Sequence, residues 1–221
     1  MAKDPADVPP ETLTAEVTSA ATSTPSLATK CAPGTRLASY KVLNQSDARP
    51  WHLHHKMPSD GRFRLVVFAG DIAQPAQKER VNKLGAWLAT ELLPKYRTVR
   101  LSPGSDPHGG TMRFRTQRDP SVIDVLTVHA APREEVELLR DLHEVYHPLD
   151  EKLGWDYDKV FVDGESYHEG FADAYARYGV DRGRGAVVGV RPDGYIGLVT
   201  GVDEQGAGEI GRWFADILRP V

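Results

Sequence analysis

The sequence predicts an α/β domain with a central mixed β-sheet flanked by helices. Three observations predict it. A strand-helix-strand run lies between residues 63 and 128, two apolar runs flank Pro192-Asp193-Gly194, and an amphipathic stretch closes the chain over 204–218. The 221 residues suffice for one core of ordinary size, and 40% apolar with 26% charged residues is the balance of a soluble globular chain.

Residues 1–31 are rich in Ala, Thr, Ser and Pro and show neither period 2 nor period 3.6, so they read as a tether, with the domain spanning 32–221. A short apolar stretch, Tyr40 to Leu43, precedes Asp47-Ala48-Arg49-Pro50-Trp51. Phe63-Arg64-Leu65-Val66-Val67-Phe68-Ala69 reads as a strand buried on both faces and stopped by Gly70-Asp71. Val81, Leu84, Leu88 and Leu92 place a helix over 76–93, ended by Pro94. Residues 102–120 read as a long polar loop. Residues 122–128 are the next strand, and a helix over 133–146 is closed by Pro148. A short strand at 160–163, a short helix over 170–178 ended by Gly179, the hairpin and the last helix complete the order. A βαβ unit followed by a β-hairpin and a terminal helix is the thioredoxin layout.

That layout directs attention to the end of the first core strand, where a redox dithiol would sit. The chain reads Phe68-Ala69-Gly70-Asp71-Ile72-Ala73-Gln74-Pro75 there, with no Cys-x-x-Cys, and Cys31 is its one cysteine. Exchange with a resolving partner needs two thiols, so disulfide chemistry within the chain is excluded and Cys31 is read as passive. A net charge of −4 without a dense basic run gives no reason to expect nucleic acid or an anionic membrane as partner. Met1-Ala2-Lys3-Asp4-Pro5 lacks the apolar core of a signal peptide, and no apolar run approaches the roughly 18 residues of a membrane span. The expected location is the cytosol.

Three motifs invite cofactors or metals. Gly206-Ala207-Gly208-Glu209-Ile210-Gly211 matches G-x-G-x-x-G, but only ten residues follow it, too few for the next strand and the ribose-binding acid of a dinucleotide site. His143-Glu144-Val145-Tyr146-His147 matches H-E-x-x-H, which on a helix sets two imidazoles on one face for Zn²⁺ with the Glu activating water. Pro148 biases His147 away from helical geometry, Asp150 stands where the metzincin extension wants Gly, and a third ligand would have to be Glu165 or Glu169. His52-Leu53-His54-His55 lacks further ligands, so solvated or hydrogen-bonded histidines are expected. No cofactor and no metal site are expected.

Several segments together resemble a known family. They are Ala32-Pro33-Gly34-Thr35-Arg36, Asn44-Gln45-Ser46-Asp47-Ala48-Arg49-Pro50-Trp51, the run from Asp60 to Asp71, Asp163-Gly164-Glu165-Ser166-Tyr167-His168-Glu169-Gly170, Asp173-Ala174-Tyr175, Tyr178-Gly179-Val180-Asp181 and the run from Val190 to Gly197. In order and at compatible spacing over about 32–220, they resemble the C-terminal domain of FAD-dependent phenol 2-monooxygenases, the fungal-type aromatic hydroxylases. The resemblance implies a thioredoxin-like domain without the cysteines that serves dimerisation and packing, while flavin and phenol are held by large N-terminal domains with no counterpart here. The family's flavin-contacting and catalytic residues therefore carry over to no position of this chain.

The expected function is a non-catalytic interaction module that pairs with itself as a homodimer or docks on a flavin-dependent monooxygenase. The alternative is a cofactor-free isomerase, cyclase or hydrolase acting on a small aromatic or polyketide-like molecule. Its pocket would draw on Asp47, Arg49, Asp163, Tyr167, His168, Tyr175 and Arg191, with His168 as general acid/base, Tyr167 as donor and Arg191 stabilising an enolate or phenolate. Structural hydrogen bonds and ion pairs are the competing role for the same side chains. A zinc hydrolase on His143, Glu144 and His147 is the third possibility.

Overall fold

A computed structural model describes residues 24–96, 121–150, 153–168, 170–171 and 173–220. The strands are β1 (Lys41–Asn44), β2 (Pro50–His52), β3 (Phe63–Gly70), β4 (Ile123–His129), β5 (Leu149–Asp150), β6 (Gly154–Trp155), β7 (Val160–Val162), β8 (Glu165–Ser166), β9 (Gly170–Phe171), β10 (Ala186–Val190) and β11 (Ile196–Thr200). The helices are α1 (Pro75–Trp87), α2 (Leu138–Asp141), α3 (Ala174–Tyr178) and α4 (Glu204–Ile217). Seven strands form one sheet in the order β11-β10-β3-β4-β7-β1-β2, and β5-β6 and β8-β9 are separate two-stranded hairpins.

The chain crosses from β3 to β4 through α1, so these two strands lie parallel, while β10 joins β3 antiparallel and turns back into β11. The order β4-β3-β10-β11 followed by α4 is the thioredoxin arrangement, as the sequence predicts. Period-two alternation splits β3 between two cores. Leu65 and Val67 face α1 and α4 with Val81, Leu84, Ile210 and Phe214, whereas Val66 and Phe68 face Tyr175, Tyr178 and Cys31. The one charged residue deep in β3, Arg64, stands opposite Asp124 on β4, and Arg64 Nε meets the carboxylate at 3.0 Å. Lys159 joins the same carboxylate. Trp213 of α4 lies over the hairpin, where glycine is required. A Cβ on Gly189 or Gly197 would stand 2.7 or 2.5 Å from its ring.

The two sheet edges are closed differently. Residues 24–37 run along β11: Val199 O accepts from Thr24 N (2.8 Å), Ile196 exchanges hydrogen bonds with Gly34 and Thr35, and Gly194 O accepts from Leu37 N (3.0 Å). The composition of residues 24–31 reads as tether, yet Ala28 and Cys31 are buried here, so small side chains were enough to pack. At the other edge β2 is three residues long and begins with Pro50, which has no N–H to offer.

The helix expected over 133–146 is instead three short pieces, a 3₁₀ turn at Arg133–Glu135, the single turn α2, and a 3₁₀ turn at Glu144–Tyr146. Side chains of α1 and of the segment itself capture the backbone groups a continuous helix would use. Asp141 Oδ2 accepts from Glu137 N (2.8 Å), Asn82 Nδ2 donates to Asp141 O (2.9 Å), and Asn82 Oδ1 accepts from His143 N (2.8 Å). Gly85 permits the contact, since a Cβ there would meet Tyr146 at 2.8 Å and His143 at 2.9 Å. The short helix expected from Gly170 starts at Ala174 and ends at Gly179 with φ 68°. The loop expected over 102–120 lies outside the described residues. No helix among the described residues is long and apolar enough to cross a membrane.

Candidate functional site

At the carboxyl ends of β4 and β7 an open cleft of about 870 Å³ is walled by the loop after β4 (Ala130 to Glu134), the turn after β7 (Asp163 to Glu165) and the stretch from α3 to Gly183. This is where open α/β sheets present loops to ligands. Asp163 forms its floor and is 4% exposed. Its Oδ1 accepts from Ala174 N (2.7 Å), and its Oδ2 accepts from Tyr175 N (3.1 Å) and Arg182 Nη1 (2.8 Å). The carboxylate thus satisfies the orphan amide donors at the start of α3 from across the chain. Asp173, the residue that precedes the helix, pairs with Arg177 at 2.6 Å instead.

Arg182 laces three loops. Its Nη2 donates to Ala130 O (2.9 Å) and Asp163 O (3.2 Å), and its own carbonyl accepts from Asp71 N (2.7 Å). Beneath it, the buried Tyr175 hydroxyl donates to Val128 O (2.7 Å) and accepts from Gly70 N (2.7 Å). Burial pushes this hydroxyl well above the ordinary tyrosine range. His129 is also fully buried, with Nε2 2.9 Å from Gln45 Oε1. Gln45 spends its amide on Arg133 O (3.0 Å) and Val136 O (2.8 Å), so His129 is the donor in that pair. Burial lowers His129 to about 4, against smaller opposing contributions from the Ala131 backbone and Asp71. The ring is neutral at physiological pH.

The segment where a dithiol would stand is closed on itself. Asp71 Oδ1 accepts from Ala73 N (3.1 Å), and the buried Gln77 amide donates to Ala69 O (2.6 Å) and Arg184 O (3.2 Å). Cys31 lies under Tyr178, its Sγ 3.7 Å from Tyr178 O, and burial pushes its thiol up to about 11. A thiol so held stays protonated and unreactive.

Of the residues read from the sequence as pocket candidates, Asp163 and Tyr175 share the cleft, and both are committed to structural hydrogen bonds. Tyr167 is 95% exposed and meets the ring of the exposed His168 edge-on, centroids 4.7 Å apart, beyond the cleft lining. Arg191 pairs with Asp193 at 2.6 Å in the hairpin turn, and Asp47 with Arg49 at 3.8 Å in an exposed turn. The acid/base set His168, Tyr167, Arg191 and Asp163 is therefore not gathered around one cavity. Arg182 and the His129–Gln45 pair are what the sequence reading missed. Nineteen residues separate Asp163 from Arg182 with no spacing rule to join them.

The H-E-x-x-H residues leave the helix that chemistry requires. His143 Nδ1 accepts from Val145 N (3.2 Å) as a cap, and the buried His147 places Nε2 3.0 Å from Leu142 O. His52, His54 and His55 are exposed around the start of a 3₁₀ turn. Among the described residues no three His, Cys, Asp or Glu side chains are grouped to hold a metal ion. The G-x-G-x-x-G match falls inside α4, where a Cβ on Gly206 would clash with Gly201 O, so this glycine serves packing.

The sequence model of the family described as "Phenol hydroxylase, C-terminal dimerisation domain" matches residues 7–221. The chain belongs to this family. Phenol 2-monooxygenase fsqG of Aspergillus fumigatus is 39% identical over 178 residues, covering 80% of this chain and 26% of its own length. FAD-dependent monooxygenase terD of Aspergillus terreus is 34% identical over 83% of this chain and 28% of its own. The bacterial 3-hydroxybenzoate 4-monooxygenase of Comamonas testosteroni is 31% identical over 84% of this chain and 26% of its own. The chain thus spans about a quarter of the length of the monooxygenases it matches. Membership in the dimerisation-domain family agrees with the resemblance read from the sequence motifs.

Proposed function

We propose that this chain is a non-catalytic thioredoxin-like interaction module that pairs with a second copy or docks on a flavin-dependent aromatic monooxygenase. The observation that carries the reading is the dimerisation-domain match across residues 7–221 of a chain equivalent to only a quarter of its monooxygenase relatives. The chemistry of the cleft supports it. Both oxygens of Asp163, the Tyr175 hydroxyl and the Arg182 guanidinium hold loops together, and the dithiol position is filled by Asp71-Ile72-Ala73-Gln74. A lone buried thiol fits a reducing compartment, and the cytosol is the one we infer.

Two differently tagged copies of the chain, co-expressed with a flavin-containing monooxygenase of the same cells, test the reading. Capture through one tag is expected to bring down the second copy or the flavoprotein in comparable molar amount. Recovery of the tagged chain alone would overturn it.

A further inference from the structure

Independently of that reading, we propose that His52 and His55 form a surface site for one divalent transition ion, Cu²⁺ held more tightly than Zn²⁺. Both side chains are exposed, and their rings lie with centroids 5.7 Å apart and planes 68° from one another. A metal–nitrogen bond of about 2.1 Å, added to about 1.1 Å from nitrogen to ring centre, lets two imidazoles share one ion at centroid spacings up to roughly 6.4 Å. A tetrahedral pair sits at about 5.2 Å by the same geometry. The observed spacing falls between the two, so small side-chain rotations bring both rings onto one ion.

The backbone that carries the pair is fixed without an ion. His52 ends β2, opposite Lys41 in the ladder. His55 stands three residues on, in the 3₁₀ turn Leu53–Lys56, and in such a turn residues i and i+3 eclipse. Leu53 between them is fully buried, and its N–H donates to Tyr40 O (3.0 Å). Ser39 Oγ accepts from His54 N (3.2 Å), and His54 O accepts from Met57 N (3.0 Å). The turn is thus anchored on the body with two imidazoles in solvent. Only side-chain torsions remain to be ordered when the ion binds, and rigid support of that kind tightens a metal site.

The neighbouring cations are already matched. The Lys56 ammonium lies 3.8 Å from the centre of the Trp51 ring and 2.8 Å from Asp158, and Arg36 donates to Asp193 O (3.3 Å) beside the Tyr195 ring. His54 is engaged with the Leu37 backbone. Two imidazole nitrogens suit copper and zinc, copper the more strongly, whereas magnesium wants oxygen ligands. Among the described residues no third His, Cys, Asp or Glu joins the pair, so water completes the coordination. The site is therefore open and exchangeable, unlike the closed four-ligand cage of a structural zinc. Solvated histidines were the expectation from sequence, because an extended segment does not eclipse the first and last of His52-Leu53-His54-His55 and the 3₁₀ turn does.

Titration calorimetry of the metal-free chain with CuCl₂, ZnCl₂ and MgCl₂ decides the proposal with three proteins: the natural chain, His52→Asn/His55→Asn, and the control His168→Asn. The natural chain and the control are expected to bind Cu²⁺ at this site, Zn²⁺ more weakly and Mg²⁺ not at all. The double variant should lose one Cu²⁺ per chain, or bind it at least about 10-fold to 100-fold more weakly. Electron paramagnetic resonance of the copper-loaded natural chain should show two imidazole nitrogens that the double variant lacks. Copper binding unaltered in the double variant, or a copper spectrum with a single imidazole nitrogen, would overturn the site. Mg²⁺ binding that the double variant abolishes would overturn its chemistry. Both positions are exposed, so the metal-free variants should melt with the natural chain. Should asparagine disturb the turn, His52→Gln/His55→Gln answers the same question.

Discussion

In the four strands β4-β3-β10-β11, apolar side chains fill most of both faces, the Arg64–Asp124 pair and His129 being among the exceptions, and the structure is held by packing against α1, α4 and the Tyr175–Tyr178 face. Between β4 and β10 the chain is held mainly by polar groups that reach across it. Asp163 caps α3 from a distance, Arg182 ties three loops, Asn82 captures α2, and Gln45 bridges His129 to Arg133 and Val136. The first region can tolerate volume-conserving changes, because burial is non-directional. The second depends on single atoms. It also carries five of the seven exposed large apolar side chains among the described residues.

The largest effect should come from the polar region. Asp163→Ala leaves the buried amides of Ala174 and Tyr175 without their acceptor and takes one of three hydrogen bonds from the half-exposed Arg182, and should cost about 2–5 kcal/mol in chemical denaturation. A loss under about 1 kcal/mol would show that packing, not Asp163, holds the cleft, and the comparison would break. Next comes His129. Its folded pKa of about 4 lies below the ordinary 6.5, so between these values the unfolded chain binds the additional proton. Stability should therefore be full above pH 6.5 and fall as pH drops toward 4, by up to about 3 kcal/mol from this residue. Melting curves of His129→Gln should lose that part of the slope, and an unaltered slope would assign it elsewhere.

In the packed region, Gly197→Ala pushes a methyl into the Trp213 ring and should cost about 1–3 kcal/mol, read from the denaturation midpoint. A neutral result would mean that α4 shifts freely over the hairpin. The smallest effect is expected at Tyr167→Ser, within about 0.5 kcal/mol, since the side chain is 95% exposed. A larger loss would give the β8–β9 arm a structural role that its exposure denies.

The same contrast sets what was legible in the sequence. Strand β3, the Pro192-Asp193-Gly194 hairpin and α4 were readable because hydrophobic period and turn chemistry agree with the final packing. The helix expected over 133–146 does not form, because its periodicity is sound locally while Asn82, some sixty residues earlier, claims the backbone of Asp141 and His143. The cleft was half legible. Asp163 and Tyr175 stood out as polar residues in a turn-rich segment, but nothing in the spacing pointed to Arg182. Tyr167, His168 and Arg191 looked equally promising because a sequence carries no direct record of which way an exposed turn faces.

The central claim is that this domain makes contacts rather than bonds in substrates, and sedimentation equilibrium of the natural chain over a wide concentration range tests it most directly. A reversible shift from 24.4 kDa toward twice that mass is expected. A single 24.4 kDa species at every concentration, unchanged by added flavin monooxygenase, would contradict it.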